Sequence, residues 1–141
     1  MGIEQQEKWE PVEGIVTPAA SALIHEDNEG LVVTLLFSDV IDGRTSDLCM
    51  KFGRVRAYTV YEEFLHPWNR LQKEFPRLTG KWENYTYPLL LIQDSEWVSW
   101  LSDLIIIPPS PIQYRFVTLD RIVDVLCNRS PEMTWVNRLK S

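Results

Sequence analysis

The stretch Leu31-Val32-Val33-Thr34-Leu35-Leu36-Phe37 constrains this chain more than any other part of it. It follows the apolar run Ala22 to His25 and the polar segment Glu26-Asp27-Asn28-Glu29-Gly30. A strand, a polar turn closed by glycine and a second strand account for that order. The second strand has no polar face, so it is expected to be buried on both sides or nearly so.

Later segments extend the sheet. Leu48 to Tyr58 alternates, with a change of parity across Gly53-Arg54 that predicts a bulge. Pro88 to Ile92 and Ile112 to Leu119 read as strands, and Met133, Trp135 and Val136 mark a short last one. Leu119 to Cys127 fits a helical face, yet its Ile and Val content favours a hairpin turning at Asp120-Arg121. Helices are expected in two places. Thr59-Val60-Tyr61-Glu62 matches a capping box, with Trp68, Leu71 and Phe75 following at helical spacing. Asp94 or Ser95 caps a second helix whose Trp97, Trp100, Leu101, Leu104 and Ile105 form one apolar, core-facing stripe. Residues 39–47 read as a loop, and residues 1–13 as an extended arm pinned to the body by Trp9. The expected class is α+β: a mainly antiparallel sheet of about five to seven strands with two or three helices packed on it, in a single domain over 1–141.

With 45% hydrophobic residues, six Trp, five Tyr and five Phe, the chain can build a core. Its 14 basic and 20 acidic side chains give a net charge of −6, which disfavours a nucleic-acid binder and suits a basic partner. Only Arg54, Arg56 and Tyr58 interleave positive and aromatic groups, most simply as an exposed strand face. No stretch is long and apolar enough to span a bilayer, and no signal peptide is evident. Cys49 and Cys127 share no metal or redox spacing and read as buried thiols, which favours the cytoplasm.

Catalytic signatures are missing. His25 and His66 are the two histidines and lack ligand spacing for a metal. Glu62-Glu63 and Asp120/Asp124 read as surface and turn charge, and no nucleophile elbow or phosphate-cradling glycine loop occurs. No catalytic residue, metal or cofactor is assigned. The remaining positive signals are exposed acids and aromatics: Glu26, Asp27 and Glu29 on the first hairpin, Asp39, Asp42 and Asp47 in the next loop, and Trp9 and Trp68 beside prolines. These are the candidate partner-binding residues.

Glu96-Trp97-Val98-Ser99-Trp100-Leu101, the run from Tyr114 to Leu126 and the opening Trp9 to Ile15 resemble small uncharacterised bacterial proteins, some of which resemble immunity proteins of polymorphic toxin systems. The resemblance covers under about a third of the chain and carries over no site residue. It implies a non-enzymatic protein-binding module that neutralises a basic toxin by stoichiometric binding. The alternatives are a small enzyme with a site assembled from scattered His, Asp and Glu, and a self-assembling subunit of a phage or conjugative system.

Overall fold

The computed structural model describes residues 4–37, 46–62, 76–101 and 111–137. Nine strands run through them: β1 (Gln5–Lys8), β2 (Ser21–Asp27), β3 (Gly30–Leu36), β4 (Ser46–Gly53), β5 (Ala57–Glu62), β6 (Leu89–Gln93), β7 (Ile112–Val117), β8 (Arg121–Cys127) and β9 (Glu132–Asn137). They form two sheets, one ordered β1-β6-β7-β8-β5 and the other β2-β3-β4-β9, with every strand pairing antiparallel.

The two sheets share one core. Phe52 of β4 meets Tyr114 and Phe116 of β7 at ring-centroid distances of 5.6 and 5.9 Å. Leu31, Val33, Leu35, Leu48 and Met50 from one sheet and Leu89, Val123 and Val125 from the other are fully buried in the same cluster. Along β3 the pattern is alternation: Leu31, Val33 and Leu35 are buried, Val32, Thr34 and Leu36 half-buried. The expected burial of both faces belongs instead to β7 and β8, nearly all of whose side chains are inaccessible.

The α+β expectation is overturned. Strands and bridges take 58% of the described residues and helical turns 9%, so the class is mainly β. The helical part consists of a turn of 3-10 helix at Gly80–Trp82 and the six-residue α1 (Glu96–Leu101). Thr59-Val60-Tyr61-Glu62 is not a helix start but the end of β5, paired along its length with β8. A capping box contributes about 1 kcal/mol, less than a six-residue ladder whose Tyr58 also packs against the buried core. The helical spacing of Trp68, Leu71 and Phe75 lies outside the described residues, as do Leu104 and Ile105.

Other boundaries shift for identifiable reasons. The alternating run 48–58 is two strands, because Arg54 to Arg56 carries the chain from one sheet to the other. The expected irregularity is real but sits one residue earlier: Leu31 pairs with Gly53 and Val32 with Lys51, so Phe52 is the extra residue. Residues 5–8 are extended as expected, and they attach to the body not through Trp9 alone but as an edge strand paired with β6. The β7–β8 hairpin, the strands β6 and β9, and the Ser95 cap, whose Oγ accepts from Val98 N–H at 3.0 Å, follow the sequence reading.

Candidate functional site

The β2–β3 hairpin turns through Asn28 and Glu29, with Asp27 paired to Gly30. Neither central residue has a positive φ; the turn closes instead through Gly30 at φ +123°. Asp27 Oδ1 accepts from the Glu29 N–H at 2.8 Å, the local bond that makes Asp favourable at this position. That bond, followed by the contact of Asp27 Oδ2 with His25 Nε2 at 3.2 Å, holds the Asp27 carboxyl below its ordinary range. Tyr58 of the other sheet donates its hydroxyl to Glu26 Oε1 at 3.2 Å, and Glu26 in turn raises the phenol's pKa. Glu26, Asp27 and Glu29 are thus all exposed at one tip whose backbone is fixed. A pocket of ≈ 390 Å³ lined by Asp27 and Glu29 of the tip is also lined by Glu132, Lys51 and Arg129, so the charge there is mixed.

The other candidate residues separate. Asp47 does not belong to a loop: it lies in β4, is 5% exposed and accepts the Phe37 N–H at 3.1 Å. A carboxylate used this way satisfies a backbone donor that its strand would otherwise bury. Trp9 is half-buried, with its ring 4.8 Å from Tyr114, which is the pinning role expected of it more than that of a free anchor. Asp39, Asp42 and Trp68 lie outside the described residues, as does His66. Cys49 and Cys127 are unpaired thiols, the first half-buried and the second buried.

Trp100 departs most from its expectation. Its helical spacing predicts a core position, yet it is 70% exposed. It stands at the rim of a cleft of ≈ 1010 Å³ beside the end of the five-stranded sheet. Trp9, Leu91, Val98 and Tyr114 supply apolar wall, while Asp94, Glu96, Ser99 and Ser130 supply polar groups. Asp94 adopts φ +52°, the left-handed region that Asp tolerates better than most residues but at a cost.

Behind the cleft runs a buried polar chain that sequence reasoning missed. Ser95 donates its hydroxyl to Gln113 Oε1, and Gln113 Nε2 donates to Asp124 Oδ1 at 3.1 Å. The same carboxylate oxygen accepts Arg115 Nε at 2.7 Å, and Arg115 Nη1 reaches Gln6 Oε1 at 2.9 Å. Arg115 and Asp124 side chains are each 4% exposed. At the head of α1, the Glu96 N–H donates to the carboxylate of buried Glu4 at 2.9 Å, joining the N-terminal segment to the helix. A signal was available: Arg115 and Asp124 interrupt apolar strand runs at equal distances from the hairpin turn, which makes them cross-strand partners. Arg115 and Asp124 each supply the other's counter-charge, which is the usual condition for tolerating a buried ion.

Among the described residues no three His, Cys, Asp or Glu side chains converge on a common point as metal ligands. None of their helices is long and apolar enough to cross a membrane. No protein-family model, curated protein or solved structure matches this chain.

Proposed function

We propose that this chain is a protein-binding module acting by stoichiometric docking, with the β2–β3 tip as the contact for a basic partner. The observation that supports it is the exposure of Glu26, Asp27 and Glu29 on a turn already held by Tyr58 and by its own Asp27 bond. A fixed backbone lowers the ordering cost of association, and carboxylates at a protruding tip accelerate encounter with a positive surface. The sequence resemblance to immunity proteins makes a basic toxin the partner class, and the two free thiols suit a reducing cytoplasm.

The test is retention of partners from host lysate and secreted fraction on the immobilised protein, identified by mass spectrometry and repeated with Glu26→Lys/Glu29→Lys. Asp27 is left intact because its carboxylate builds the turn, and Tyr58→Phe, which removes the bond to Glu26 without changing the charge, is the control. Loss of one basic partner from the double variant, with the fold unchanged, supports the reading. Equal retention by the variant refutes the tip as the contact. An empty column together with self-association in sedimentation would favour a self-assembling subunit instead.

A further inference from the structure

A second feature of the surface is independent of the hairpin. The cleft beside α1 combines a broad aromatic wall, two exposed carboxylates and a floor of fixed polar groups. Half-buried Trp9, tilted against buried Tyr114 at 4.8 Å, lines one side, and Trp100 stands at the rim with most of its indole in water. Asp94 and Glu96 border the same space, and no Lys, Arg or His is among its described lining residues. Ser95 and Gln113 are buried, and their hydrogen bonds to each other and on to Asp124 hold the floor in place. The volume of ≈ 1010 Å³ is at the upper end of what small-molecule sites occupy.

We infer that this cleft is a binding site for a small organic cation carrying an apolar or aromatic body. The indole faces of Trp9 and Trp100 attract a cation through the ring quadrupole, and Trp does so more strongly than the other aromatic residues. Asp94 and Glu96 add net negative charge with no lining cation among the described residues to offset it. An anionic ligand meets repulsion there. A neutral one forgoes both attractions and keeps only its apolar contact with Trp9, Leu91 and Val98.

Benzyltrimethylammonium is the probe, titrated into the whole protein while tryptophan fluorescence and the indole N–H signals in NMR are followed. 2-Phenylethanol serves as a neutral aryl comparator. The cation is expected to bind with Kd on the order of 1 mM and to move the Trp100 indole signal. The alcohol is expected to bind about fivefold more weakly or worse. Trp100→Ala should weaken the cation about fivefold without disturbing the fold, since that ring is 70% exposed. Asp94→Asn/Glu96→Gln should weaken it about threefold or more and reduce its salt dependence. Equal affinity for alcohol and cation, unchanged affinity in Trp100→Ala, or no shift of any indole signal at about 20 mM cation overturns the inference.

Discussion

Replacing Gly30 by alanine tests how tightly the hairpin is locked onto the rest of its sheet. Two costs add. At φ +123° the backbone lies where essentially only glycine is comfortable, a penalty of about 1–3 kcal/mol for any side chain. The new methyl would also sit 2.1 Å from the carbonyl carbon and oxygen of Gly53, where real Cβ contacts do not fall below 3.0 Å. The obstruction is main chain at the Phe52 bulge, so relief requires moving two strands rather than one rotamer. Overpacking of that kind costs about 1–3 kcal/mol more. The expected total of about 4 kcal/mol is a large share of the stability of an ordinary domain. Urea denaturation followed by tryptophan fluorescence should show a midpoint lowered by about 2 M for a slope near 2 kcal/mol/M. Gly80→Ala is the control: its φ is +70°, but nothing lies within 4 Å of the added carbon. It should cost about 1 kcal/mol, the left-handed penalty alone. If both substitutions cost the same, the contact with Gly53 contributes nothing and the reasoning fails.

Further outcomes follow from the buried groups. Asp124→Ala leaves Arg115 buried beside a missing carboxylate and should cost about 3–5 kcal/mol in chemical denaturation, whereas Arg115→Met/Asp124→Leu should cost clearly less than the single change. Burial, with a smaller contribution from Glu10, pushes the Tyr87 phenol from its ordinary 10.0 up to about 12. The folded state therefore holds this proton where the unfolded chain has released it. Stability should fall as pH rises from 10 towards 12, and Tyr87→Phe should flatten that decline in denaturation measured at stepped pH. Under non-reducing conditions a thiol reagent should label Cys49 slowly in the native protein and reach buried Cys127 only when urea is added. Complete labelling of both at once without denaturant would contradict the burial of Cys127.

The strands were legible where their own residues carried the pattern. Asp27 and Gly30 bracket a turn by local chemistry, and the β7–β8 hairpin announces itself by branched residues on both sides of Asp120-Arg121. A cap at Asp94 or Ser95 was legible because an oxygen-bearing side chain ahead of an apolar stripe has one obvious use, and the Val98 N–H takes Ser95. What failed were inferences in which a local motif competed with a distant partner. Thr59 to Glu62 satisfies a capping box on paper, but its neighbours in space are Asp124 to Arg121, invisible to any short window. Helical spacing placed Trp100 in the core, yet periodicity cannot say which face of α1 meets water. Asp47 reads as a loop residue until the Phe37 N–H that needs it is seen. Of the site, the acidic tip was named from sequence. The cleft was not, because its walls come from β1's far end, β6, α1, β7 and Ser130, which only the fold assembles.

The order in which the chain visits its two sheets bears on how it can be made. β1 waits for β6, more than eighty residues later, and β4 waits for β9 near the end of the described chain. A ribosome releasing the protein from its N-terminus thus presents β2–β3–β4 with Leu48, Met50 and Phe52 unsheltered and one edge open. Pairings this distant in sequence make folding slow and leave strand edges available to other chains meanwhile. Local hairpins can form early during synthesis, but burial of the shared core cannot be completed until β9 emerges. Truncation just before Glu132 should therefore yield an aggregating chain rather than a smaller folded one, with chaperones holding it far longer than the full-length product.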